Sequence, residues 1–538
     1  MSTKKNNFSF KYFKNDFPAS IVVWLVALPL CIGIAQGSNV NAFSGLIAGI
    51  IGGIIVTVFS GSKFGVSGPA AGLITIVVAG IVTLDGDVGP NDVSIFFLAV
   101  FLSGIIQFLL GLFRLGVIGY FVPTSVINGM LASIGLILML KQIPSIFGGY
   151  KGSNLDAYSV YTDAEKLDLH LLTKLWIDTK SALMDPTYGA ILIFVICLGV
   201  MLLWELEFFK SKKLFQYMPG SLVAVIVGSI LAYLFSLNGN DSGSSLAIID
   251  AQKVGLPEAV KTWDFKNLFR FPDFSHLANI QVWIVALTIA IVGSIETLLS
   301  VEATDKLDPN KNISPTNKEL KAQGIGNAIS GLIGGLPITM VIVRSSANIN
   351  AKAKTQLSAI YHGILLVISV FAFPQLLELI PTASLAAILC ILGFKLLKLK
   401  KVINMFKTDT QGAIVIVVTI ASVLATDLLK GVGIGFALAM FFILRKNYVL
   451  AFIDHWDEKN KELTISFSQI VSFLNKGALM QKLQSVPGGS KVKMSALKCH
   501  TMSKEIQEVI INFRDNKTDN IELELIGFDK FDIDKKSN

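Results

Sequence analysis

The chain has 538 residues, 52% apolar and only 16% charged, with a mean hydropathy of +0.63; an average soluble protein carries roughly 25% charged residues, so a soluble globule is excluded. Charge is also unevenly placed: 25 of the Asp, Glu, Lys and Arg residues lie in 455–538 and 59 in 1–454, which separates a large membrane-embedded part from a small soluble tail. The net charge of +8 suits a membrane protein with basic cytoplasmic loops and does not point to nucleic acid.

In chain order, apolar segments fall near 20–37, 42–60, 67–84, 94–113, 117–140, 187–204, 219–236 and 281–301, then near 322–336, 338–350, 356–373, 376–397, 411–428 and 431–450. About 14 spans are predicted, each needing about 20 residues. Lys4, Lys5, Lys11 and Lys14 precede a run that flows into Pro29 and Gly33 with no convincing cleavage site, so it reads as the first span and not as a signal peptide. Arg114, Lys210, Lys306, Lys321, Lys395 and Lys401 fall on the side of this basic N-terminus, which makes both termini cytoplasmic. The polar connections near 142–186 and 237–277 are then external, although Lys253, Lys261, Lys266 and Arg270 fit less cleanly. The expected organisation is a cytoplasmic N-terminus at 1–18, a transmembrane domain at 19–452 with repeats at 19–236 and 278–452, a tail domain at 458–530 and a terminal stretch at 531–538. Cys31, Cys197, Cys390 and Cys499 contain no C-x-x-C pair and read as buried small hydrophobes.

Ser44-Gly45-Leu46-Ile47-Ala48-Gly49-Ile50-Ile51-Gly52-Gly53 resembles Ser330-Gly331-Leu332-Ile333-Gly334-Gly335, and each copy runs into an interrupted segment, Gly65 to Gly72 in one half and Gly335 to Met340 in the other. About seven spans separate the copies, an odd number, so the halves are inverted. Paired broken segments in inverted halves point to a substrate site near the bilayer midplane, although small Gly-rich motifs also serve ordinary helix packing. A helix that starts in mid-membrane has unpaired N–H groups and a partial positive charge, so two such ends attract an anion. Pro69 fits a first-turn position and Ser67 a cap or ligand just before it; a plain proline kink is the alternative.

Two charges stand inside apolar segments, Glu296 and Arg344, each costing about 2.5–3.5 kcal/mol at a helix centre on the insertion scale. Arg344 follows the second break and offers several N–H donors to an oxyanion. Glu296 can take a proton or, with Ser300 one turn later, contribute to a cation shell. The two charges pairing with each other is the competing reading. His362 reads as a packed or interfacial histidine, and Glu302 and Asp305 as solvated helix-end residues.

Ala27-Leu28-Pro29, Ser67-Gly68-Pro69, Ser294-Ile295-Glu296-Thr297-Leu298-Leu299-Ser300, Gly324-Ile325-Gly326-Asn327 and Arg344-Ser345-Ser346-Ala347-Asn348, in this order, resemble the SulP family of sulfate permease-type anion carriers over nearly the whole chain. The resemblance implies an all-α polytopic protein of 7+7 inverted repeats, a core domain rocking against a gate domain, and a homodimer. It places an anion between the third and tenth helices, at Ser67, Gly68, Pro69, Ala70, Ala71 and at Val341, Ile342, Val343, Arg344, Ser345, with coupling at Glu296 and Ser300. Residues 462–527 read as strand, helix, strand, helix, strand, a short α/β unit that resembles the cytoplasmic STAS domain of the family. It ends early and carries Lys498-Cys499-His500-Thr501-Met502-Ser503 where many members have a phosphorylatable Asp-Ser loop, so it reads as a stability or dimerisation module.

The expected function is secondary transport of an inorganic anion across the inner membrane, with no cofactor and no enzymatic activity, since no hydrolase or redox constellation and no G-x-x-x-x-G-K-[ST] loop appears. An anion channel or a sensor signalling through the tail would not need Glu296, and a nucleobase carrier would want acids in place of Arg344. Bicarbonate is placed ahead of sulfate: many sulfate-type members have a glutamine after the proline of helix one, where this chain has Leu30 and Cys31, and a monoanion needs fewer donors than a dianion. The segment from Val341 to Asn348 with Tyr361-His362-Gly363 resembles the branch associated with carbonic anhydrases. Sodium-coupled bicarbonate carriers of the family have a small residue where Arg344 stands. The coupling ion therefore stays open between Na⁺ at Glu296 and Ser300, a proton on Glu296, and anion exchange.

Overall fold

The computed structural model describes residues 10–84, 93–117, 123–148, 179–180, 182–184, 186–206, 218–237, 253–262, 264, 268–426, 428–449, 452–516 and 520–531. Most of the expected external connections, the stretch after 531, and Lys4, Lys5, Lys210 and Lys266 lie outside these residues. The chain divides into two compact units, Met1–Gly435 and Phe436–Asn538.

The first unit is helical. Its elements are α1 (Phe13–Gly37), α2 (Ala42–Ile51), β1 (Ser67–Pro69), α3 (Ile74–Leu84), α4 (Ser94–Leu112), α5 (Thr124–Leu140), α6 (Tyr188–Glu205) and α7 (Gly220–Leu237) in the first half. The second half repeats the plan with α8 (Ile280–Leu307), α9 (Thr316–Leu332), β2 (Ile338–Met340), α10 (Ile342–Asn350), α11 (Leu357–Ala372), α12 (Thr382–Leu397) and α13 (Thr410–Ala425), and with α14 (Leu428–Val449), which the division at Gly435 cuts. Among the described residues, seven helices are long and apolar enough to cross a membrane and four more are apolar but shorter. Helix starts follow local chemistry: Asn41, Asn279 and Asp409 side chains accept from Phe43, Gln281 and Gly412 N–H groups, and Pro123, Pro315 and Pro381 stand just before α5, α9 and α12. Leu109, Leu192, Val195, Ile226, Ile230 and Leu287 are exposed on helix surfaces, as apolar side chains that meet lipid are.

The helices sort into two bundles. In one, α4 lies along α9 and α8 while α1 packs on α2, α10 and α11; in the other, α5 packs on α12 and α13 and α6 on α7 and α12. The α4–α9 contact is backbone against backbone, because Gly104, Gly324 and Gly331 leave no room for a side chain. The two glycine-rich copies also touch, with Leu336 N–H donating to Ser44 C=O at 3.1 Å and Ile47 packed on Gly335. They therefore serve close packing as well as marking the breaks. Beyond α2 the helix widens into a π-turn at Gly52–Val56, where Gly52 lies directly on the Ser67 carbonyl.

The second unit carries a four-stranded sheet in the order β3 (Phe452–Asp457), β4 (Glu462–Phe467), β6 (Lys491–Ser495), β8 (Glu522–Ile526), in which only the β3–β4 pair is antiparallel. A separate parallel pair joins β5 (Ile470–Val471) to β7 (Thr501–Met502). Helices α15 (Lys476–Gln484) and α16 (Lys504–Asn516) complete a core of Leu463, Ile465, Leu479, Val492, Met494, Ile506 and Ile510. Alternation along β6 buries Val492 and Met494 and turns Lys491 and Lys493 to Glu524, whose carboxyl these lysines hold below the usual range. This is the STAS-like unit, with β3 added ahead of the expected strands.

Candidate functional site

The two breaks meet. β1 and β2 pair antiparallel, Ser67 with Met340, Gly68 with Thr339 and Pro69 with Ile338, the relation that two inverted halves impose. Ser345 braces the crossing: its Oγ accepts from Val66 N–H at 3.0 Å and donates to Val341 C=O at 2.9 Å, while Val341 N–H reaches Val66 C=O at 2.9 Å. Asn327 holds both backbone groups of Ile338, at 2.5 and 3.0 Å, and its amide in turn donates to Gln107 at 2.6 Å. These bonds satisfy backbone that would otherwise be orphaned in a membrane interior.

Beyond the crossing each strand turns helical, through Ala71–Leu73 into α3 and from Val341 into α10, and neither N-cap residue, Ala70 or Val341, has a side chain that caps its helix start. The expected placement of Ser67 as a cap and Pro69 in a first turn is corrected here: both are extended residues of β1, and the helical turn begins at Ala71. Proline is tolerated there because a two-stranded ladder leaves one side of β1 unpaired. The uncapped starts leave first-turn N–H groups with positive partial charge at the crossing.

Arg344 lies in the first turn of α10 and is 0% exposed, whereas Val343 beside it is 37% exposed. Its guanidinium turns behind β1, occupying the place where a side chain on residue 68 would start. Nη2 reaches Cys31 Sγ at 3.3 Å, and Nε and Nη1 have no partner. Cys31 is therefore more than the space-filling hydrophobe expected of it. Glu296 on α8 is half-buried and packs on Gly72, whose N–H faces its carboxyl; Oε2 has no partner. No ion pair joins Glu296 to Arg344, so the two charges do not neutralise each other. Ser300, one turn after Glu296, is 8% exposed.

Other expected residues resolve simply. His362 is fully buried, with Nδ1 against the Ala359 carbonyl at 2.8 Å. Glu302 pairs with Lys306, but Asp305 is not merely solvated: it accepts from both N–H and Oγ of Ser314 at 2.7 Å. Two buried carboxylates escaped the sequence reading. Asp16 accepts from Lys354 N–H, Thr355 N–H and Thr355 Oγ, tying α1 to the entry of α11. Glu319 in the first turn of α9 accepts from Ser60, Gly61 and Gln323. The available signal for Glu319 was an acid four residues before a glutamine at the start of a glycine-rich span. A cavity of about 460 Å³ runs along α3 from Thr75 to Thr83, walled also by Thr288 of α8, Ile137 of α5 and Val423 of α13, with Lys141 and Lys430 among its lining residues.

The model of the sulfate permease family matches residues 13–419, most of the chain. The chain belongs to the sulfate permease family. It is 28% identical over 446 residues to the Bacillus subtilis protein named "Putative sulfate transporter YvdB", covering 83% of this chain and 76% of that one. It is 24% identical to the Picosynechococcus protein named "Bicarbonate transporter BicA", covering 80% and 70%. The solved transmembrane domain of a cyanobacterial BicA superposes with a TM-score of 0.63 at 22% identity, over 80% of this chain and 98% of that one. Murine Solute Carrier 26 family member A9 superposes with 0.73 at 15% identity, over 96% and 86%. The fold of the transmembrane part is thus shared with the solved BicA domain, and this family member is a multi-pass membrane transporter, not an enzyme.

Proposed function

We propose that this permease carries a small inorganic anion, bicarbonate ahead of sulfate, bound at the crossing of β1 and β2 between Ser67–Ala71 and Val341–Ser345. The observation that carries this reading is the Arg344 guanidinium, buried behind Gly68 with two nitrogens unpartnered and, among the described residues, no carboxylate paired with it. A buried cation without a counter-charge is costly, and an anion at the two uncapped helix starts offsets that cost. Ser345 is committed to the backbone and the Thr339 hydroxyl faces the Met340 carbonyl at 3.4 Å, which leaves Ser67 as the hydroxyl at the crossing whose proton has no acceptor among the described residues. So sparse a donor set suits a monoanion better than a dianion, and Leu30 brings no amide.

Glu296, half-buried and separate from Arg344, is the coupling residue in this reading. It takes a proton, or Na⁺ together with Ser300, or it sets the balance of an anion exchanger. The bundle containing α8 and α10 rocks against the bundle containing α5 and α12, with both termini in the cytoplasm of a homodimer in the inner membrane, supplied with bicarbonate by carbonic anhydrase. Names of relatives support both substrates. Flux into proteoliposomes with a panel of anions under imposed Na⁺ and H⁺ gradients tests the reading. Bicarbonate is expected to be taken up against its gradient and to compete with other anions. Uptake of micromolar sulfate, undiminished by excess bicarbonate at constant pH, would reverse the order of substrates.

A further inference from the structure

Four fully buried side chains form a relay that ends at the crossing. Ser62 N–H donates to Ser60 Oγ at 3.0 Å, and the Ser60 hydroxyl donates to Glu319 Oε2 at 2.6 Å. Gln323, one turn along α9, donates from Nε2 to Glu319 Oε1 at 3.0 Å and from the same nitrogen to Ser67 Oγ at 2.7 Å. Ser60, Glu319, Gln323 and Ser67 are exposed by 3% or less, and among the described residues no ion pair compensates Glu319.

With Glu319 ionised, the form that accepts from Ser60, Gly61 and Gln323 together, donor and acceptor counting sets the direction of every bond in this relay. A carboxylate only accepts, so the amide atom that faces Glu319 is the nitrogen of Gln323 and not its oxygen. That nitrogen also faces Ser67, so Ser67 Oγ accepts and its own proton must go elsewhere. Ser60 shows the pattern complete: it takes an N–H on its oxygen and passes its proton on to Glu319. Ser67 takes the Gln323 N–H in the same way, but among the described residues its proton has no acceptor. An anion at the crossing supplies one.

We propose that Glu319 and Gln323 are positioning residues that fix the hydrogen-bond polarity of Ser67, turning its hydroxyl outward as a donor to the transported anion. The inference rests on Ser67 lining the anion site. Glu319 acts through Gln323, since an amide anchored on a carboxylate cannot flip and present its oxygen to Ser67. With the amide reversed, the Ser67 proton would bond to the amide oxygen and be withdrawn from the anion.

The experiment is anion uptake by the full-length protein in proteoliposomes, read as KM and maximal rate separately, with bicarbonate and sulfate each as substrate. Ser67→Ala is expected to raise KM about tenfold, the loss of one charge-assisted hydrogen bond. Gln323→Glu, which offers Ser67 an acceptor in place of a donor, is expected to raise KM similarly with the maximal rate largely retained, and to add nothing in the Ser67→Ala background. Gln323→Met, without an added charge, provides a second route to the same non-additive result if the glutamate variant does not assemble. Glu319→Gln, which frees the Gln323 amide to flip, is expected to give a smaller rise of about threefold, again absent in the Ser67→Ala background. Equal effects of the Gln323 variants with and without Ser67, or no effect on KM at all, would overturn the relay. An unchanged KM in Ser67→Ala would instead remove Ser67 from the anion site, and the proposal with it.

Discussion

Arg344 packs against Gly68 and Glu296 against Gly72, four positions apart on the same break, yet the fold treats the two charges in opposite ways. Arg344 is wholly buried, held by one sulfur contact, and fixed behind the strand. Glu296 is half-buried as a residue, but its carboxyl is enclosed at the start of the helical turn into α3, facing the Gly72 N–H with Oε2 buried and unpartnered. Removing a charge from water without pairing it is stabilising for neither, and each ends in a buried polar atom without a partner. In the proposed reading one charge is permanent and sets the potential of the site, whereas the other, facing a backbone N–H at a helix start, is the one that changes state during a cycle.

That division of labour can be broken by substitution. The largest expected effect is Glu296→Gln, which keeps shape and removes charge: gradient-driven accumulation should collapse while equilibrium anion binding survives. Continued concentrative uptake by the variant would show that coupling lies elsewhere. The neighbouring glycines sharpen the contrast. A methyl at residue 68 takes the place of Arg344 Nη1, and one at residue 72 comes within 2.6 Å of Glu296 Oε1, each an overpacking that costs about 1–3 kcal/mol. Gly68→Ala should weaken anion affinity, and Gly72→Ala should lower the accumulation ratio with affinity nearly unchanged; the reverse assignment would refute the comparison. Smallest of all is removal of residues 452–538, a cut placed before β3 because that strand belongs to the tail sheet. Anion affinity of the assembled remainder should stay within about twofold, as expected of independent sites, and a complete loss in a well-folded protein would give the tail a direct part in transport.

Much of this arrangement was legible in the chain itself. Apolar length marks the helices, and the Gly-rich copies ahead of Pro69 and Pro337 mark the two breaks, because both signals are local. The crossing was not, since three-residue strands such as Ser67–Pro69 carry no periodicity and exist only through pairing with Ile338–Met340. Nor was the inward turn of Arg344, which depends on Gly49, Gly68 and Cys31 meeting from three different elements. Glu319 was hidden among Lys311, Lys318 and Lys321, where an acid looks like ordinary loop polarity. In the tail, Phe452–Asp457 carries two aspartates and a histidine, and half of its residues are exposed, so it reads as a linker until its partner Glu462–Phe467 is placed beside it.

The central claim is that Arg344 is an unpaired buried charge kept for the anion, and thermal unfolding of the purified protein with and without anion tests it most directly. A ligand that binds only the folded state stabilises it by about 2.7 kcal/mol at a hundredfold excess over Kd. The wild-type protein should therefore gain Tm with bicarbonate at constant pH and ionic strength. Arg344→Met, which fills the same space without charge, should unfold no earlier than wild type in the absence of anion, because an apolar replacement of a buried ion is neutral or stabilising, and should lose the anion-dependent gain. A full anion-dependent rise in Tm in Arg344→Met would contradict the account.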